Sequence, residues 1–322
     1  MTAMDTETTA SLAQAHAAAH DSAVLAAHDG RGVLLLTGKT RLELINRMST
    51  QAVSGLKTGE GAATVLTSDI GRIIDRIILY ATTDKAYVLT GDGHANALAR
   101  YFTRNIFYND DVQVQDITAG TAIFGVYGPR AAEALSATGF PEVAIPLHHW
   151  RQAEVGGATA YVHRADPIAG DGYYVMTNTA GRPSVWAALA AAGALPIDEA
   201  AYDYLRIEAG LPRFGRELTL DYIPLETGLW DDVSFRKGCY VGQEIIARME
   251  SRGKLAKRLA RLRPGAPVEG GAEIVAGGLV VGSITSAADG PAGPVALGYV
   301  KTAALAEGVA LFAGEIALVV ES

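Results

Sequence analysis

The residues best suited to chemistry lie in Lys237-Gly238-Cys239-Tyr240-Val241-Gly242-Gln243-Glu244. This stretch holds the only cysteine of the chain, set between two glycines and a lysine. A free thiol titrates near pH ~8.5, and a nearby lysine or helix N-terminus lowers that value. Cys239 is therefore a candidate nucleophile or redox-sensitive group, and the alternative reading is a small buried hydrophobe. Ile245, Ile246 and Met249 share one helical face, with Glu244 in the first turn and Gly253 as the stop. Glu244 and Arg248 stand four apart in the favourable order, so they also read as a surface pair. A second candidate is Asp75, which with Arg76 interrupts an otherwise apolar strand. The pair either faces outward or lines a pocket.

Arg248, Arg252, Lys254, Lys257, Arg258, Arg261 and Arg263 form a local basic run, read either as a solvated face or as a rim that receives an anionic ligand. His16, His20 and His28 read as solvent-exposed polar residues, because no carboxylate or cysteine cluster of metal-site spacing accompanies them in the sequence. No metal site is expected.

The elements that must position these groups follow from periodicity. Residues 32–38 form a short apolar run between glycines, as a buried strand would. Thr40-Arg41-Leu42-Glu43 has capping-box spacing ahead of a helix carrying Leu42, Ile45 and Met48. Residues 62–66, 73–80 and 87–90 read as strands, and Asp198 caps a helix closed by Gly210 with Pro212 behind it. From Arg258 onward short alternating runs are punctuated by glycine and proline, the pattern of a small antiparallel barrel. The expected class is α+β, with a flexible, frayed or weakly helical extension over 1–22, two interleaved lobes over 23–255 and a barrel over 256–322.

The 322 residues carry 27 Lys plus Arg against 35 Asp plus Glu, a net charge of -8 that disfavours bulk attraction to nucleic acid or anionic lipid. One cysteine excludes an internal disulfide framework and fits a reducing, cytoplasmic home. No run of eighteen apolar residues is present, so no spanning helix is expected, and the first twenty residues lack the pattern of a secretory signal. There is no P-loop, HExxH or CxxC, and Gly91-Asp92-Gly93 lacks the context of a dinucleotide fingerprint.

The stretch 237–244, with Ala247-Arg248 and Arg252-Gly253 after it, resembles the signature of the YgfZ-type folate-binding proteins of the glycine-cleavage T-protein (aminomethyltransferase) superfamily. Weaker likenesses lie at residues 50–80, at Tyr127-Gly128-Pro129, at Leu205-Arg206-Ile207-Glu208-Ala209-Gly210 and in the strands around Val281 and Leu297. The resemblance implies a three-lobed cloverleaf ring with tetrahydrofolate or a derivative in its central hole, and Cys239 facing that hole. It implies Cys239, Lys237 and Asp75 as the chemical groups. Tyr240, Gly242, Gln243, Glu244, Arg248, Arg252 and Tyr174 would line the folate.

The YgfZ branch is associated with assembly or repair of iron–sulfur clusters in client proteins, and the transferase branch passes an aminomethyl group from a lipoyl carrier to tetrahydrofolate. Two departures from the transferase pattern favour the first branch. Asp75-Arg76 stands where those enzymes have paired aspartates, and Tyr174 stands where they have the acid that holds the pterin. A folate-dependent aminomethyltransferase and a folate-binding tRNA-modification module are the alternatives.

Overall fold

The computed structural model describes residues 10–140 and 144–321. Two sheets and a barrel organise them. The six-stranded sheet runs in the order Leu195–Ile197, Val24–Ala27, Thr121–Gly128, Asp171–Asn178, Ala158–Arg164, Trp150–Val155, with only its first pair parallel. The five-stranded sheet runs Gly61–Thr67, Ile73–Ala81, Lys85–Asp92, Arg31–Thr37, Gln113–Asp116, all antiparallel. The chain makes one strand of the first sheet, all of the second, then the rest of the first. Lys257–Pro264 begins a closed antiparallel barrel of six strands that ends with Ile316–Glu321. The fold is α+β with a C-terminal barrel.

Each sheet is covered on both faces, which is why its strands read as near-continuous apolar runs. Phe124, Val126 and Val175 pack under the helices Ala131–Ala137 and Arg182–Ala191. Leu34, Leu36 and Leu79 pack under Arg41–Met48 and Ala95–Arg104. The inner faces meet in a central core where Ile78, Tyr80 and Leu89 join Ile123, Tyr127 and Met176, with Leu205, Val295 and Leu297 closing it. Full burial of such a side chain is worth about 1.5–3 kcal/mol.

Two local expectations change. Leu12–Asp21 is a helix, not a flexible extension: Ser11 and Gln14 cap it reciprocally, and Ala15 and Ala19 are fully buried. Alanine allows close approach of helices, so it packs on Glu199–Glu208 without the bulky stripe that marks most buried helices. The part of the expected extension over residues 1–9 lies outside the described residues. Thr40 precedes Arg41–Met48, yet its hydroxyl accepts from Asp111 N at 2.9 Å and closes no capping box. By contrast Asp198 Oδ1 accepts from Ala201 N at 2.8 Å, as its position predicts.

Among the described residues no helix is long and apolar enough to cross a membrane.

Candidate functional site

The sheets, the helix Glu199–Glu208 and the loop 211–214 enclose a cavity. Asp75 supplies its most chemically exposed need. The carboxylate is fully buried; Oδ2 accepts from Gly91 N at 2.9 Å and lies 2.9 Å from His94 Nδ1. Oδ1 is buried without a partner among the described residues. Burial pushes the carboxyl above its ordinary range, against the pull of His94 and Gly91. Phe214 stacks on His94 with centroids 4.3 Å apart. It fits because position 91 is glycine, where a Cβ would come within 2.3 Å of the Phe214 ring.

Arg76 faces the same space but is already engaged, donating to Asp232 Oδ2 at 2.6 Å and Asp166 Oδ2 at 2.7 Å. Burial opposes the charge of Asp166, and Arg76 more than offsets it, holding its carboxyl at about 2. Both members of the strand's charged pair are therefore pocket lining. Arg213 is likewise bound to Asp92 at 2.6 Å.

Arg31 differs. Its guanidinium lies 5.0 Å over the ring of Tyr174 and makes no hydrogen bond among the described residues. Burial opposes its charge and the Asp92 carboxylate favours it; a guanidinium is basic enough to stay protonated here. The cavity thus offers one unfilled acceptor and one cation resting on an aromatic face.

His28 corrects its sequence reading. It is buried on the cavity wall, with Nε2 2.8 Å from Tyr127 Oη and its ring edge-on to Tyr202 and Tyr174. Burial first, then Arg31 and Arg213, hold it well below its ordinary value, and it is neutral at pH 7.

Of the residues expected at the site, Asp75 and Tyr174 line this cavity. Lys237, Cys239, Tyr240, Gly242, Gln243, Glu244, Arg248 and Arg252 are not among its lining residues. They form an outer loop and the helix Gln243–Arg252. Lys237 Nζ donates to the carbonyls of Asn46, Ser49 (2.7 Å) and Gln51 (2.9 Å), which tethers the loop to the end of the helix Arg41–Met48. Burial draws the Lys237 ammonium down to about 8, while these three acceptors favour its charged form at neutral pH. Tyr240 is buried beside Ile223, Val233 and Ile246. Val241 O accepts from Thr67 Oγ1 at 2.6 Å.

Gly242 adopts φ +81°, and a Cβ there would lie 2.5 Å from Ser68 O. Glu244 pairs with Arg248 at 2.8 Å on an exposed helix face. Cys239 itself is exposed. The sulfur is therefore accessible on a firmly held bend, but the expectation that it faces the cavity is not met. A one-dimensional motif cannot say which side of its loop is outward.

The basic run divides, with Arg248, Arg252, Lys254 and Arg258 exposed and the other three turned to partners. Lys257 Nζ sits 4.3 Å over the Tyr222 ring, Arg261 donates to Glu208 O, and Arg263 binds Glu321 and Glu208. Alternation along one strand turns these side chains to internal partners and Arg258 away from them.

The residues missed by sequence reasoning are Arg31, His28, His94 and Phe214. Only Arg31 carried a local hint, its place between two glycines at the mouth of a strand; the others converge from separate elements.

Residues 4–237 match the family model of the GCVT N-terminal domain, and Cys239 lies just past the matched range. A chloroplastic protein of Arabidopsis thaliana named as a transferase is 30% identical over 291 residues, covering 89% of this chain and 67% of that protein. An aminomethyltransferase of Streptomyces coelicolor is 28% identical over 292 residues, covering 86% and 78%. The crystal structure of the glycine cleavage system aminomethyltransferase T of Bartonella henselae superposes with a TM-score of 0.84 at 23% identity, covering 97% of this chain and 88% of that one.

Proposed function

The chain belongs to the GCVT N-terminal domain family, and from that premise we propose that it binds a reduced folate of the tetrahydrofolate class in the central cavity and uses Cys239 in the assembly or repair of iron–sulfur client proteins. The observation that carries the ligand is Asp75 Oδ1, a buried acceptor without a partner on the cavity wall. An acceptor in that state costs about 1–3 kcal/mol, which an N–H of a reduced pterin would recover. Arg31 suits a carboxylate such as a folate's glutamyl end, and Tyr174 beneath it offers an aromatic face. The bound folate would supply a one-carbon acceptor or carrier; the protein's part is to hold its polar edge through Asp75 and screen it from water.

The separation of thiol and cavity favours a thiol that meets a macromolecular client. A sulfur acting on the cavity's ligand would have to reach that cavity, whereas Cys239 stands exposed on a loop fixed by Lys237, Thr67 and Gly242. Calorimetric titration with tetrahydrofolate tests the ligand: micromolar binding lost in Asp75→Asn supports it, and no binding by the native protein rejects it. Rescue of an iron–sulfur enzyme in cells lacking the protein tests the thiol. Cys239→Ser is expected to fail, and full rescue by it rejects that role.

A second reading, a folate-dependent aminomethyltransferase, draws on the same Asp75 and on the relatives' names. Under it, Asp75 orients the folate amine and Cys239 is incidental. Protein mixed with an aminomethylated lipoyl carrier and tetrahydrofolate would release ammonia and methylenetetrahydrofolate, and Cys239→Ser would do so equally well. The tRNA-modification alternative draws on the basic run, of which Lys257, Arg261 and Arg263 turn to internal partners while Arg248, Arg252, Lys254 and Arg258 stay exposed; a tRNA mobility shift that survives physiological salt tests it.

A further inference from the structure

On the far side of the helix Glu199–Glu208 from the cavity stands a cluster that neither folate nor thiol chemistry uses. His16 and His20 are four residues apart on one face of Leu12–Asp21. Glu208 lies opposite them. Its Oε2 is 3.3 Å from His16 Nε2 and 3.0 Å from His20 Nε2. Its Oε1 is 3.4 Å from Arg263 Nη2, and Arg263 is itself fixed by Glu321 at 2.7 Å. The donor atoms of all three side chains lie within 4.8 Å of one another.

We propose that His16 Nε2, His20 Nε2 and Glu208 Oε2 form a binding site for Zn²⁺ or a similar divalent late first-row ion, with the remaining position open to water. Four donors about 2.0–2.2 Å from zinc stand roughly 3.3–3.4 Å from one another at the corners of a tetrahedron, close to the separations found between Glu208 and the two imidazoles. Two histidines at i and i+4 on one helix aim their nitrogens at a common point, a spacing that zinc sites exploit. Two imidazoles and one carboxylate are a donor set for zinc, and for cobalt and nickel in the same class. Arg263 reaches Oε1, which also stands 3.3 Å from His16 Nε2, so His16 faces both carboxylate oxygens and His20 faces Oε2, with Arg263 in the place of an outer-shell partner. The His20 side chain is 43% exposed, so an ion can enter and keep a water. The sequence reading found no carboxylate near these histidines because Glu208 is 188 residues from His20 along the chain.

Tag-free full-length protein titrated with Co²⁺ tests the site. The native chain is expected to take up one Co²⁺ with the visible bands of a tetrahedral ion, displaced by Zn²⁺, and Zn²⁺ is expected to raise its melting temperature. His20→Gln alters a partly exposed side chain and leaves the core intact, so its metal-free melt should match the native one. It is expected to weaken Co²⁺ binding by more than about tenfold, since even lost outer-shell contacts cost ten- to a hundredfold. Glu208→Gln should do the same if it folds; if it does not, His20→Gln decides alone. Unchanged binding by His20→Gln, absence of Co²⁺ bands in the native chain, or bands that vanish instead in Cys239→Ser would each overturn the site and leave the cluster as a hydrogen-bonded contact joining two helices.

Discussion

At the scale of single residues, burial sets the chemistry. Asp75 keeps one oxygen satisfied by Gly91 and His94 and one bare. Asp75→Asn preserves the shape and removes the charge-assisted acceptor, so reduced-folate affinity should fall about tenfold or more, equal to ~1.4 kcal/mol. The melting temperature should hold or rise, because a buried carboxylate is relieved; calorimetry and a thermal melt read the two effects separately.

His163 shows the same physics in an imidazole. It is fully enclosed, neither ring nitrogen has a partner among the described residues, and burial drops it to about 3. Its unfolded value is near 6.5, so between those two pH values the unfolded chain binds the extra proton. Its contribution to stability is present above pH ~6.5 and lost as pH falls toward 3, at up to about 1.4 kcal/mol per pH unit. Urea unfolding of His163→Phe at pH 4 to 7 should show a shallower acid dependence than the native chain, whatever the offset at neutral pH. Parallel pH slopes would mean that His163 does not carry the effect.

At the scale of elements, the thiol loop is held by backbone geometry as much as by side chains. Gly242 sits in the left-handed region against Ser68 and Gly71, while Gly238 has open space where a Cβ would go. Gly242→Ala should therefore cost about 1–3 kcal/mol, and Gly238→Ala almost nothing, by denaturant midpoints. Equal effects would show that the contact with Ser68 is not what fixes the loop. The neighbouring helix obeys its sequence, running Gln243–Arg252 and stopping at Gly253 with φ +59°. The N-terminal helix does not announce itself: its alanines and histidines acquire meaning only when Glu199–Glu208 lies against them.

At the scale of the whole molecule, a buried ion network fastens the helix Glu199–Glu208 and the loop that follows it to the barrel. Arg206 donates to Asp203 (2.6 Å), Glu217 (3.1 Å) and Ser286 (2.8 Å), and Glu217 also accepts from Thr285 and Ser286. Arg206→Met leaves Glu217 in the interior without its cation, for a loss of about 3–5 kcal/mol. Removing both charges, Arg206→Met with Glu217→Leu, should recover much of that loss. The pair is coupled through shared contacts, so the double variant should be less damaged than the two single losses added. Guanidinium unfolding of the four proteins checks it, and a simple sum would mean that the two groups act independently.

The sequence by itself determined what is local and periodic: the class of fold, the barrel's short alternating strands, the Asp198 cap, the glycine-bounded helix after Cys239, and the family likeness. These depend on dihedral preferences and on spacing a few residues apart, which the chain carries with it. Only the tertiary structure decided which face each strand turned inward, and so which charges met. It brought Arg31, Asp75 and Tyr174 to one cavity, left Cys239 outside it, turned Lys257, Arg261 and Arg263 of the basic run to internal partners, buried His28 and set Glu208 beside His16 and His20. Convergence of groups far apart in the chain is fixed by how layers pack, and no local pattern records it.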